Sequence, residues 1–204
     1  MASFRQHISF SALAGALLFF VVLLWADTGV SAALLIALWC WFAGMLPDVD
    51  CDTGRPLELI FVQLAACLPF LVVVQLPQGT ELSTITLVFI VAYYFVRYPL
   101  KKLFEKYSVH RGIFHSVPTG LFISALIVLA YRREGELAWL IGGGVFVGYI
   151  SHLLLDEIFS VDLLRVRVKR SFGTALTLSG GSKLKTITLY AASFGLLSSL
   201  VIFG

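Results

Sequence analysis

Residues 136–156 read ELAWLIGGGVFVGYISHLLLD, and this stretch decides the fold. From Leu137 to Ile150 it carries no charge, and the whole run is as long as the roughly 20 residues that a membrane-spanning helix needs. Its last turns then bring His152 and Asp156. Four residues apart on a helix, the two share one face. Ionisable groups on so apolar a helix are costly unless they are paired or functional. Gly142, Gly143, Gly144 and Gly148 permit close helix packing, within or between subunits.

The rest of the chain follows the same pattern. Of 204 residues, 59% are hydrophobic and 13% charged, with a mean hydropathy of +0.93. A water-soluble domain of this length requires a more polar exterior. Seven apolar stretches read as spans: 8–26, 30–46, 57–77, 82–98, 113–131, 136–156 and 187–203. Turn chemistry separates them at Asp27-Thr28-Gly29, Pro47-Asp48, Pro77-Gln78-Gly79 and Arg132-Arg133-Glu134-Gly135. The expected fold is all-α, a polytopic transmembrane helix bundle forming a single integral-membrane domain over 1–204. The first run has one early positive charge, Arg5, and no small-residue cleavage site, so it reads as a retained helix. Cys40, Cys51 and Cys67 lack metal-type spacing; Cys40 and Cys67 read as small hydrophobes.

Charge sets the expected orientation. With a cytosolic N-terminus, the inner segments are 1–7, 47–56, 99–112 and 157–186. Counting Arg97 at its helix end, they hold all but Arg132 and Arg133 of the fifteen Lys and Arg residues, as the positive-inside rule requires of a bacterial inner (cytoplasmic) membrane protein. The basic loop 157–186 contains Leu164-Arg165-Val166-Arg167-Val168-Lys169, whose period of two predicts an extended ribbon. Thr174–Leu178 is the expected partner strand and Gly180-Gly181 a turn. The loop suits attraction to anionic lipid headgroups and binding of an anionic substrate alike.

In this orientation all four histidines fall at cytosolic helix ends. His7 opens the first span, His110 precedes the fifth, His115 lies in its first turn, and His152 closes the sixth. Asp48, Asp50 and Asp156 join them. The proline in Leu46-Pro47-Asp48-Val49-Asp50 ends a helix and leaves two carboxylates at alternate positions of an extended turn; a divalent cation between such groups removes their repulsion. In His110-Arg111-Gly112-Ile113-Phe114-His115-Ser116 a helix begins, with an N-terminus suited to phosphate or carboxylate and Arg111 as a bidentate anion contact. Taken singly, His7 reads as an interfacial residue and Asp48 as a turn former. Imidazoles and carboxylates converging from separate chain regions read together as a metal site. Mixed His and Asp donors suit Zn, Mn or Fe, or Mg where carboxylates dominate. Seven candidate ligands (His7, Asp48, Asp50, His110, His115, His152, Asp156) are enough for one ion or two.

At these positions the chain resembles the bacterial membrane-bound metal-dependent hydrolases, a family also described as LexA-binding and inner-membrane-associated. The resemblance rests on His7, Leu46-Pro47-Asp48-Val49-Asp50, His110-Arg111-Gly112-Ile113-Phe114-His115-Ser116 and Ser151-His152-Leu153-Leu154-Leu155-Asp156. The chain departs from the family pattern at Phe114, usually Thr, and in Glu157-Ile158-Phe159-Ser160, which is less polar than usual. The resemblance implies a metal-dependent hydrolase; a polar site at headgroup level on the cytosolic face, flanked by helix ends and basic residues, suggests a membrane lipid or lipid-like phosphoester as its substrate. His110, Arg111, His115 and Asp50 are then the expected catalytic residues, and Arg111, Ser116, Arg165 and Arg167 the expected substrate contacts. A membrane-anchored regulatory protein with a structural metal, holding a protein partner through the basic loop, is the alternative. No nucleic-acid partner is expected. A phosphohistidine lipid phosphatase would need a Pro-Ser-Gly-His motif, which is absent. A transporter would want ionisable groups near mid-membrane, where these helices have almost none.

Overall fold

The computed structural model describes residues 3–50, 54–107, 114–162, 167–168, 176–179 and 183–203. Its helices are α1 (Phe4–Trp25), α2 (Val30–Ala43), α3 (Gly54–Val73), α4 (Leu82–Phe95), α5 (Lys101–Tyr107), α6 (Val117–Ala130), α7 (Glu136–Ile158) and α8 (Lys183–Phe203). Each of the seven expected spans is a helix. Four helical runs, Phe4–Trp25, Leu82–Lys106, Glu136–Ile158 and Lys183–Ile202, are long and apolar enough to cross a membrane; Val30–Ala43, Leu57–Val73 and Val117–Ala130 are apolar but shorter. The fold is an all-α bundle of membrane type.

The chain divides into two compact units, one of residues 1–48 and 111–204, the other of 49–110. In the first, α7 is the central helix and packs on α1, α2 and α6, while α8 packs on α6. The approach of α2 to α7 is a parallel ladder with one rung per turn. A Cβ on Gly144 would meet the Ile36 side chain at 2.9 Å, and one on Gly148 would lie 1.9 Å from the Cys40 carbonyl oxygen. One turn on, the His152 Nδ1 is 2.8 Å from the Gly44 carbonyl oxygen. Only glycine at 144 and 148 lets the helices come this near. Helix α1 crosses the same end of α2, where a Cβ on Gly44 would collide with the Ser11 side chain at 2.2 Å. Between α2 and the end of α6, Trp39 Nε1 donates to the Tyr131 hydroxyl at 3.2 Å.

In the second unit α3 packs on α4 around Phe61, Ala65 and Val96. The fourth span does not stop near 98 as expected. A π-helical turn, Val96–Leu100, carries it on into α5. Pro99 lies in that turn; it has no N–H to offer the helix, and the wider turn absorbs the missing bond. Arg97 and Lys101, four apart, both donate to the Glu58 carboxylate and tie the turn to α3.

Three local expectations are corrected. Leu46–Asp50 is a 3-10 turn and not an extended one: Met45 N bonds to Phe42 O at 3.0 Å and Asp48 N to Met45 O at 3.3 Å, and Pro47 costs nothing in so short a helix. His115 precedes its helix instead of lying in the first turn, because Ser116 is the extended N-cap and Pro118 sits at the helix start. In the basic loop Arg167–Val168 is indeed extended, but it pairs antiparallel with Val161–Asp162 and not with Thr174–Leu178. The described part of that expected partner serves the α6 entry instead: Val117 N donates to Thr177 O at 3.0 Å, and the Thr177 hydroxyl to His115 O at 2.9 Å. Residues 174, 175, 180 and 181 lie outside the described residues.

Candidate metal centre

Five of the seven expected ligands meet at one end of the first unit. His7 comes from the first turn of α1, where Ser3 N–H donates to Gln6 Oε1 at 2.6 Å and closes the helix entry. Asp48 comes from the 3-10 turn after α2, His115 from the α6 entry, and His152 and Asp156 from successive turns of α7. His7, His152 and Asp156 are buried at 2%, 1% and 2% exposure.

The orientation of His152 decides the chemistry. A carbonyl only accepts, so Nδ1 must carry the hydrogen in its bond to Gly44 O. That bond also satisfies a carbonyl left free by the end of α2. Nε2 then turns a lone pair inward, fully buried and with no hydrogen-bond partner among the described residues. It lies 3.6 Å from Asp48 Oδ1 and 3.9 Å from Asp156 Oδ2. His115 Nε2 is 3.9 Å from the same Asp48 oxygen, and His7 Nε2 is 3.2 Å from Asp156 Oδ1. The His7 and His152 rings stack at 3.7 Å, and His115 stands edge-on to His152 at 5.6 Å.

Two carboxylates facing a buried lone pair form a stable arrangement only around a positive charge. Bonds of about 2.0–2.2 Å to a tetrahedral or octahedral ion place neighbouring donor atoms roughly 3–3.5 Å apart, close to the separations here. The donor set therefore fits a divalent metal. Two triads, His7–His152–Asp156 and Asp48–His115–His152, each bring donor atoms within 4.8 Å of one another. The two triads share His152, whose inward Nε2 has one lone pair.

The remaining expected residues are Asp50, His110, Arg111, Ser116, Arg165 and Arg167. Asp50 ends the 3-10 turn; its side chain, with His110, Arg111 and Arg165, lies outside the described residues, and Arg167 is described only through its strand pairing. Ser116 is buried, and its hydroxyl shares a hydrogen bond with Thr119 at 3.0 Å. It orders the start of α6. Three supporting groups went unnoticed in the sequence: Gly44 through its carbonyl, Tyr149 through its hydroxyl donating to Phe114 O, and Thr177. The sequence signal for Gly44 was its place at the end of a span; Thr177 had none.

A family model described as YdjM inner membrane protein matches residues 1–165. The chain belongs to this family. No curated protein and no solved structure matches it. The matched region takes in the whole His7-to-Asp156 cluster and ends before Thr177 and α8. Membership in an inner-membrane family agrees with the apolar helices and makes this a membrane protein.

Proposed function

We propose that this YdjM-family chain is a metal-dependent hydrolase working at the cytosolic face of the inner membrane on a phosphoester of an amphiphilic molecule. The observation that carries the reading is the buried His152 Nε2 with two carboxylates turned toward it. A divalent ion at that point would supply Lewis acidity and lower the pKa of a water molecule. His152, Asp48, Asp156 and His7 are the inner donors. His115, whose side chain is 15% exposed against 0% for His152, is the imidazole water can reach; it would take the proton as water attacks phosphorus and the ester P–O bond breaks, and would return that proton to the departing alkoxide.

The orientation belongs to the same proposal. Seven crossings with the N-terminus inside make α2 and α7 run the same way, and the ladder between them is parallel. Arg5, Lys183 and Lys185 start α1 and α8 at the cytosolic side, while Arg132 and Arg133 follow α6 at the other.

The test is elemental analysis of the detergent-purified full chain beside Asp48→Ala and His152→Ala. Close to one ion per chain in the wild type, lost in both variants while helicity is kept, is expected. Metal-free protein that gains nothing from Zn, Mn or Mg would refute the centre. Metal with no turnover of lipid phosphoesters would leave a structural ion in a membrane anchor.

A further inference from the structure

Beside the cluster, α1 and α7 leave an open cleft of about 410 Å³, within the range of roughly 300–1,000 Å³ usual for small-molecule sites. Its floor and mouth differ in chemistry. Arg5 and Ser9 lie one turn apart on α1 and form the polar end; Phe10, Leu13, Leu155 and Phe159 form the apolar remainder. Gln6 also reaches the cleft, but its side-chain oxygen is already taken by Ser3 N–H. Two of the lining residues, Gln6 and Leu155, directly precede His7 and Asp156 in sequence.

Arg5 makes no ion pair among the described residues. Asp156, next to the cleft residue Leu155 in sequence, is turned inward onto His7. No acidic side chain lines the cleft. A guanidinium at the mouth, with the positive end of α1 behind it, attracts an anion and offers nothing to a cationic ammonium head. Below it, Leu13 opens onto the apolar outer face that continues through Leu17 and Phe20, 60% and 59% exposed. The cleft thus runs from charge to hydrocarbon along one helix, as a lipid does along its own length.

We infer that this cleft binds a bilayer lipid with a phosphate monoester head, its phosphate on Arg5 and its first acyl segment between Phe10, Leu13 and Phe159. The inference rests on the hydrolase reading for its purpose, since it names where the amphiphile enters, but its test stands apart. Full-length protein in detergent is titrated with dioctanoyl phosphatidic acid and dioctanoyl phosphatidylcholine, with metal content measured on the same samples. Wild type should prefer phosphatidic acid by at least tenfold. Arg5→Glu should lower that affinity at least tenfold, and Leu13→Trp, which fills the cleft while keeping Arg5, should do the same; both should keep their metal. Arg5→Lys should retain part of the preference. Equal binding of the two lipids by wild type, or wild-type binding by a folded Arg5→Glu or Leu13→Trp chain, overturns the site. Displacement of the lipid by inorganic phosphate at equal concentration would overturn the lipid as the source of the anion. Selective lipid binding by a chain without metal would uphold the cleft and end the hydrolase reading.

Discussion

Gly148→Ala is the sharpest test of how the centre is held. The new Cβ would lie 1.9 Å from the Cys40 carbonyl oxygen, 2.7 Å from its carbon and 3.0 Å from its Cα. All three are backbone atoms, so no side chain can swing away and α2 itself must recede. To reach ordinary contact the closest distance must grow from 1.9 Å to about 3.4 Å. The next rung of the same ladder is the His152 Nδ1 bond to Gly44 O at 2.8 Å. Half of that displacement, carried one turn along two parallel helices, stretches the bond past about 3.5 Å, where it ceases to be a hydrogen bond. Overpacking costs about 1–3 kcal/mol, and a buried donor and acceptor pulled apart about 1–3 kcal/mol more. The expected fall in melting temperature is on the order of 5–15 °C. With the imidazole no longer anchored, metal affinity should fall roughly 10–100-fold, as when a group supporting a ligand is removed. Tryptophan fluorescence melts in detergent and a metal titration read both. The control is Gly143→Ala on the same helix, where the added carbon meets nothing within 4 Å. If the two variants melt within about 2 °C of each other and bind metal alike, the ladder does not position His152 and the reasoning fails.

Other outcomes follow from the same geometry. His152→Asn can still donate an amide N–H toward Gly44 O but has no second nitrogen to turn inward; it should fold better than His152→Ala by thermal melt and yet hold no metal. Thr177→Val removes the hydroxyl that holds His115 O and should weaken metal binding several-fold without unfolding the chain, measured by competition with a chelating dye. Chelation of the wild type should lower its melting temperature and re-addition of the ion restore it, since an ion bound only by the folded state stabilises by mass action; a melt indifferent to both would argue against the centre. Glu58→Gln takes the partner from Arg97 and Lys101 in the other unit. It should lower thermal stability while leaving metal content unchanged.

The helices were readable because apolar length is a strong signal: a helix stands at each of the seven expected stretches, and His152 and Asp156 share a face as their spacing implies. Ends were harder. The fourth span was expected to end near 98, yet Glu58, some forty residues upstream, clasps cations on both sides of Pro99 and keeps the helix going. A distant partner of that kind leaves no local pattern. The alternation of Asp48 and Asp50 suggested an extended turn, but backbone bonds from Met45 and Asp48 wind it into a 3-10 turn. Likewise Thr174–Leu178 had the residues of a strand, while the described Thr177 spends its backbone and hydroxyl on the α6 entry. At Pro99 and Thr177 a tertiary bond outweighed a local preference; at Asp48 one local pattern outweighed another.

What the sequence showed least was why the cluster is tolerable at all. Burying Asp48, Asp156 and two imidazoles at the end of an apolar bundle is unfavourable if the groups can drift into mutually repelling positions. The structure removes that freedom by backbone. Glycines 144 and 148 bring α2 against α7, Gly44 brings α1 against α2, and the carbonyl exposed by the end of α2 is taken by the one imidazole whose other nitrogen must point inward. The residues that carry no chemistry thus determine which atom of His152 is available for it. Their replacement should alter the centre as surely as loss of a donor, and Gly44→Ala, which drives a carbon into the Ser11 side chain one turn from His7, is a second place to see it.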